Sequence, residues 1–155
     1  MKLLFLWAMS SLLLAACTPK PEPLHYGTDE CDYCRMTIVD PQHGAEVITQ
    51  KGKIFKFDAI ECMVHHVQKT GPDQFGSFWV NDYTATTGAL VDATTCTFLI
   101  SKNIPSPMGA YLSGFEEKTA AEKFLQEKGG EVFDWDRFEE TRDKILTLLF
   151  LLNLD

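Results

Sequence analysis

The stretch IFKFDAIECMVHHVQKT, residues 54–70, changes the spacing of its apolar residues halfway along, and this change decides the fold class. IFKFD (54–58) has three bulky apolar residues in a short run, which predicts a β-strand. Asp58 is a residue type that caps helices. The apolar residues that follow recur at the spacing of an α-helix until TGPD (70–73) ends the pattern: Ile60, Met63, Val64 and Val67. A strand leading into an amphipathic helix indicates a domain that mixes the two.

The regions on both sides extend this pattern. Strands are predicted upstream at 36–40 and 44–50, and downstream at 77–82, 96–101 and 131–135. KNIPSPMGAY (102–111) is predicted to be a loop, and KTAAEKFLQEK (118–128) a helix that two glycines end. Strands followed by a helix thus occur twice. The mixture favours an α+β domain, and whether its strand-strand-helix halves form a repeat stays open at this point.

The N-terminus has the features of an export signal. MKLLFLWAMSSLLLAAC (1–17) places one Lys before a short apolar run and small residues, which is typical of a signal and not of a membrane-spanning helix. The tetrad LAAC, which ends at Cys17, resembles the bacterial lipobox, in which the Cys is acylated. Ordinary cleavage just before Cys17 is the alternative. We expect a lipoprotein signal peptide over 1–16 and a lipid anchor in the cell envelope, on the periplasmic or other extracytoplasmic side.

The remaining boundaries follow from composition. TPKPEP has three prolines in six residues, so residues 17–27 are expected to form an extended tether behind the lipidated Cys. The folded domain is expected over 28–135 and an apolar C-terminal helix over 136–155. The Leu- and Phe-rich run within that helix, 146–152, is too short to span a bilayer. It would either pack on the core or contact a partner or a membrane surface.

Charge and motif content exclude several function classes. Removal of the signal takes one Lys away, which leaves 13 basic and 22 acidic side chains and a formal charge of −9. Such a surface disfavours nucleic acid and anionic membranes, and mildly attracts a cationic cargo or partner. The sequence has no Gly-rich phosphate loop and no Ser–His–Asp signature. We therefore expect a protein that is not an enzyme.

The stretch ECDYCRMTIVD (30–40) gathers three sulfur side chains: Cys31, Cys34 and Met36. In a strand, Cys34 and Met36 would point to the same side, and Cys31 would reach that side across a turn. A thioether is a soft ligand that, with a thiolate, selects Cu(I) over hard cations. Met108 is a further candidate, because the Pro- and Gly-bounded loop around it is expected to have few packing contacts. Met residues are nevertheless common fillers of cores.

Two other readings of the cysteines remain open. Cys31 and Cys34, together with Cys62 and His65, match the spacing of a Cys3His zinc site that would staple a small domain. This set leaves both methionines unused. A thiol–disulfide oxidoreductase would need its Cys-x-x-Cys motif at the start of a helix, whereas here the chain continues into a predicted strand.

The sequence resembles the NosL family of copper-binding lipoproteins that assist nitrous oxide reductase in denitrification. The resemblance rests on the lipobox and on four short stretches over roughly residues 28–135: CDYCRM, GKIFKFDAIECM, PMG and GGEVFDW. It implies an α+β fold of two related halves, similar to a part of organomercurial lyase. It also implies Cu(I) binding and delivery to the copper–sulfide catalytic centre of nitrous oxide reductase, helped by a membrane transporter complex.

The resemblance also assigns site residues. The Cys-x-Met motif of the family falls on Cys34 and Met36, and the methionine of its Met-Gly motif falls on Met108. Cys31 and Cys62 are additional sulfurs that this pattern does not require, so they are expected to be accessory, as is His65 in the zinc alternative.

Overall fold

The first half of the molecule is a hairpin, a helix and two further strands. The computed structural model describes residues 20–137. In chain order the elements of this half are β1 (Ala45–Thr49), β2 (Ile54–Phe57), α1 (Ile60–Thr70), β3 (Phe75–Asn81) and β4 (Leu90–Asp92). All neighbouring strands are antiparallel, and their order in the sheet is β2-β1-β3-β4.

The second half repeats this arrangement. Its elements are β5 (Thr97–Ile100), β6 (Leu112–Phe115), α2 (Lys118–Lys128) and β7 (Glu131–Phe133). The sheet order is β6-β5-β7, again antiparallel. In both halves a hairpin is followed by a helix and by a strand that pairs with the free edge of the first strand. The predicted α+β class is therefore confirmed, and each strand-strand-helix unit is followed by further strands, two in the first half and one in the second.

A shared core joins the halves. Helix α1 contacts β1 and β2 of its own half and β6 of the other, and β3 also contacts β6. One large cluster of buried side chains accordingly contains residues of both sheets, from Val47 in β1 to Phe98 in β5. A smaller cluster lies beneath α2 and contains Leu99, Ile104, Phe115 and Ala121. Burying α1 between the halves brings its N-terminal turn close to loops of both.

The predicted strand at 36–40 is wrong. Arg35 has a positive φ of 67°, which reverses the chain, and the only pairing nearby in residues 20–137 is a single bridge between Glu30 and Thr37. Strands β4 and β6 were not predicted, because each has only three or four residues and no clear alternation. The other predicted strands and both helices are confirmed, and α2 has the predicted ends.

The chain before residue 28 packs on the first sheet. The Glu22 N–H donates to Glu46 Oε1 at 3.0 Å, Leu24 is buried, and the Tyr26 hydroxyl donates to the Gly88 carbonyl at 3.1 Å. These contacts extend the packed region to residues before the predicted domain boundary. The predicted signal, Cys17 and the predicted C-terminal helix beyond 137 lie outside the described residues. Within 20–137, no helix combines the length and apolar character needed to cross a membrane.

Candidate metal centre

The Cys31–Cys34 segment is a loop that closes on itself. The Cys31 N–H donates to the Met36 carbonyl at 2.8 Å, and the Arg35 N–H donates to the Cys31 carbonyl at 3.0 Å. Asp32 fixes the loop to β2, because its N–H donates to the Lys56 carbonyl and its carboxylate accepts the Lys56 N–H, both at 2.8 Å. The position of both cysteines is therefore set by backbone hydrogen bonds.

Four potential ligands meet beside this loop: Cys31, Cys34, Asp58 and Cys62. Their sulfur and carboxylate atoms all lie within 4.8 Å of one another. Cys62 comes from the first turn of α1, and Asp58 from the short link between β2 and α1. Cys31 and Cys62 have no exposed surface, whereas Cys34 is half-buried. None of these three cysteines is in a disulfide. Cys34 reaches towards solvent, and the other three members of the cluster lie inside.

Asp58 has a different role from the one predicted. Helix α1 has Ala59 as its N-cap, without a side-chain cap hydrogen bond. The Asp58 carboxylate, which is 3% exposed, instead accepts the Cys34 thiol at 3.4 Å. Among residues 20–137 it forms no salt bridge. An acidic residue between a strand and a Cys-bearing helix was the available signal, but capping explained it equally well.

The cluster separates the acidities of its thiols. The Cys62 thiol donates to Cys31 and, against the effect of burial, lowers the pKa of Cys31 to about 6, helped by backbone N–H groups of the loop and of Asp58. Burial raises the pKa of Cys34 to about 11. The pKa of Cys62 is raised, chiefly because its proton is held by Cys31. At neutral pH the metal-free cluster therefore holds one thiolate and two thiols.

The other predicted ligands have different surroundings. Met36 is 53% exposed. It was predicted to lie beside Cys34 because both would face one side of a strand, but this segment is not a strand. His65 stacks on the Tyr33 ring, with 5.2 Å between ring centroids and an angle of 7°. The predicted Cys3His set is thus a Cys3Asp set, with Asp58 as its fourth member. Met108 is half-buried against the main core, which Cys34 also contacts.

The loop that carries Met108 has more contacts than expected. The Ser106 hydroxyl donates to Glu61 Oε1 and accepts the Tyr111 N–H at 2.9 Å. Glu61, next to Cys62 in α1, is 1% exposed, and burial raises its pKa. The Gly109 N–H also donates to the Ser106 carbonyl at 3.0 Å. We call the hydrogen bond from the Ser106 hydroxyl to the Glu61 carboxyl group the Glu61–Ser106 latch. It fastens the Met108 loop to the helix turn that supplies Cys62, and it was not predicted from the sequence.

Three exposed apolar side chains lie close in sequence to Cys34. The large hydrophobic residues that are exposed in the described part of the chain are Tyr33, Met36 and Val39, at 38%, 53% and 66%. All three belong to the segment that supplies Cys34. Glu30, Asp32 and the exposed Arg35 lie in the same segment. This surface combines apolar area with a small excess of negative charge.

Comparison with known proteins relates the chain to one family. The family model described as NosL matches residues 25–142, which is more than half of the chain. Among solved structures, the crystal structure of the copper chaperone NosL from Shewanella denitrificans matches with a TM-score of 0.68 and 20% sequence identity. This match covers 76% of the present chain and 94% of the other, and at such identity it shows a shared fold. Among curated proteins, none matches this sequence.

Proposed function

Because this chain belongs to the NosL family, as its match over residues 25–142 shows, we propose that it is a Cu(I) metallochaperone and not an enzyme. The observation that carries the proposal is the cluster of three thiols and one carboxylate beside an exposed apolar segment. Thiolates are soft ligands that suit Cu(I). The copper-chaperone relative with the same fold supports this choice of cargo.

The proposed ligands in contact with incoming copper are Cys34, Met36 and Met108. Cys34 supplies the negative charge that offsets the charge of Cu(I) when the ion leaves water. Met36 is exposed, so its thioether can meet an ion at the surface, and the Glu61–Ser106 latch holds the Met108 loop against the core. Thioethers bind and leave without exchanging a proton, which suits a metal that is passed on.

The proposed destination is the copper–sulfide centre of nitrous oxide reductase, reached with the help of a membrane transporter complex. The apolar and acidic surface around Tyr33, Met36 and Val39 is suited to brief contact with a partner that takes the metal. We further propose that a lipid on Cys17 anchors the protein in the cell envelope, and that each half resembles a part of organomercurial lyase.

Copper binding is tested by competition with a chromogenic Cu(I) chelator under anaerobic, reducing conditions. The wild type should withdraw Cu(I) from the chelator, and Cys34→Ser should nearly abolish this ability. Met108→Ala should weaken binding less, since it removes a neutral ligand. Cys96→Ser is the matched control, because Cys96 is also buried but its thiol donates to the Asp92 carbonyl at 3.3 Å, away from the cluster. Equal binding by Cys34→Ser and the wild type would contradict the proposal.

A zinc staple is the second candidate function, because the Cys3Asp set also fits Zn(II). It predicts that zinc remains bound through purification and that chelation unfolds the domain. Copper delivery predicts that the metal-free protein stays folded. It also predicts that nitrous oxide reductase has an incomplete copper–sulfide centre in cells that lack this protein. Normal metal content of the reductase in such cells would refute that destination while leaving copper binding intact.

A further inference from the structure

We infer that the protein offers Cu(I) two positions that share the sulfur of Cys34. The inner position is bounded by Cys31, Cys62 and Asp58, and the outer position is completed by Met36 and Met108. This inference rests on the proposed copper-binding function and divides the site into an entry position and a holding position. A single ion would move between them.

The geometry of the buried cluster supports the inner position. A metal about 2.3 Å from each sulfur of a tetrahedral site holds those sulfurs roughly 3.8 Å apart. The four ligand atoms of the cluster lie within 4.8 Å of one another, so small side-chain movements bring them to one ion. The loop containing Cys31 and Cys34 already has its hydrogen-bonded shape, and Cys62 is held in α1. The inner position therefore needs no refolding.

The environment of Asp58 also indicates a missing positive charge. Buried carboxylates are normally paired with a cation or coordinate a metal. Asp58 is 3% exposed, and within the described residues no Lys, Arg or His forms a salt bridge with it. Its side-chain partners are the thiols of Cys34 and Cys62. A cation between the three thiols would supply the charge that the fold does not.

Cys34 is suited to be the shared ligand. It is half-buried, it contacts the main core and it hydrogen-bonds to Asp58, so it borders both solvent and the cluster. As copper moves inward, bonds from the metal to the thioethers break and bonds to Cys31 and Cys62 form. A thiol that joins the metal passes its proton to solvent at the exposed side of the loop, a sulfur that is already a thiolate passes none, and copper remains Cu(I) throughout. The reverse exchange returns the metal to the exposed side of the loop.

Two double variants separate the positions. Cys31→Ser with Cys62→Ser removes the inner position, and Met36→Leu with Met108→Leu removes the outer one while preserving apolar volume. We expect the first variant to lose affinity roughly tenfold or more and to exchange Cu(I) with a chelator faster than the wild type. The second should lose less affinity than the first but exchange roughly tenfold more slowly, because entry and exit lose their ligands. Cys96→Ser should match the wild type in both measurements.

X-ray absorption spectroscopy gives a readout independent of affinity. The wild-type protein loaded with one Cu(I) should show mainly short copper–thiolate bonds, and the Cys31→Ser/Cys62→Ser variant should show one such bond with longer thioether bonds. Asp58→Asn keeps the side-chain volume, and it should weaken binding without removing any sulfur from the spectrum. Circular dichroism of each metal-free variant establishes that it is folded.

The outcomes distinguish this inference from the proposed function. If the wild type binds no Cu(I), the proposed function fails. If the wild type binds Cu(I) but a folded Cys31→Ser/Cys62→Ser variant has the same affinity, exchange rate and spectrum, the inner position does not exist. Occupation of the cluster by zinc that Cu(I) does not displace would also overturn the inference.

Discussion

The Glu61–Ser106 latch makes a quantitative prediction about stability. Ser106→Ala removes the hydroxyl that donates to the buried Glu61 carboxyl group and that accepts the Tyr111 N–H. The second carboxyl oxygen of Glu61 has no hydrogen-bond partner, so the variant leaves the buried carboxyl group with its backbone contacts at Glu61 and Leu112 and without its side-chain donor. A hydrogen bond to a buried, partly charged acceptor contributes about 1–3 kcal/mol and a neutral one about 1 kcal/mol. Ser106→Ala should therefore lower the free energy of unfolding by about 2–4 kcal/mol.

Urea unfolding at 25 °C and pH 7 measures this change. The matched control is Ser77→Ala, because the Ser77 hydroxyl accepts one neutral bond, from Trp79 Nε1 at 3.1 Å, and should cost about 1 kcal/mol. Glu61→Gln retains an acceptor for Ser106 and removes the buried acid, so it should stay within about 1 kcal/mol of the wild type. The double variant completes a cycle that isolates the Glu61–Ser106 coupling.

The pH dependence provides a second test of the same latch. Burial raises the pKa of Glu61 above its ordinary value of 4.5, so the folded protein binds more protons than the unfolded chain above that pH. Stability contributed by this carboxyl therefore falls as pH rises from 4.5, by at most about 1.4 kcal/mol per pH unit, and Glu61→Gln should remove this slope. A Ser106→Ala variant within about 0.5 kcal/mol of the wild type would refute the latch.

Three further predictions concern other parts of the chain. Gly130→Ala should destabilise the fold by roughly 3 kcal/mol or more in the same urea assay, because φ is +115° and a Cβ would overlap the Ile100 carbonyl. Gly52→Ala is the control: its φ is also positive but the space around it is open, so it should cost about 1–2 kcal/mol. Absorbance at 240 nm of the reduced, metal-free protein should show one thiolate forming near pH 6, and Cys31→Ser should abolish that step; a first thiolate appearing only above pH 8 would contradict the assignment. Cys17→Ser should move the protein from the membrane fraction to the soluble fraction, and identical fractionation of both forms would disprove lipid anchoring.

Local sequence patterns were sufficient for the long elements. KTAAEKFLQEK predicts α2 to the residue, because strong helix formers end at two glycines. Metal-ligand spacing grouped Cys31, Cys34 and Cys62 in the zinc alternative, with His65 as the fourth residue. In the structure the fourth member of the cluster is Asp58, because the β2–α1 link turns its side chain inward. Such a choice depends on tertiary packing, which one sequence does not display.

The chain reversal at Arg35 explains why the strand predicted at 36–40 is absent. A Cys-x-Met pattern followed by TIVD satisfies the alternation of a strand, but Arg35 is in the left-handed region, where non-glycine residues are uncommon. The backbone hydrogen bond from the Cys31 N–H to the Met36 carbonyl stabilises that conformation. The local preference of these residues for a strand is therefore outweighed by the hydrogen bonds that close the loop. The Glu61 latch was missed for a similar reason, since its partner Ser106 lies in the other half.

The packing of the N-terminal segment on the first sheet determines how far a lipid anchor would let this protein reach. Lys56 holds that segment through the Asp29 carboxylate at 2.9 Å and the Pro23 carbonyl at 3.3 Å, and Glu22 is already hydrogen-bonded to β1. With lipid on Cys17, the linker between the lipid and the first hydrogen-bonded residue would end at Glu22, and a chain of this length spans at most about 18 Å. The domain would then lie close to the lipid headgroups. Its copper exchange would be confined to partners that present their own metal ligands near the same membrane surface.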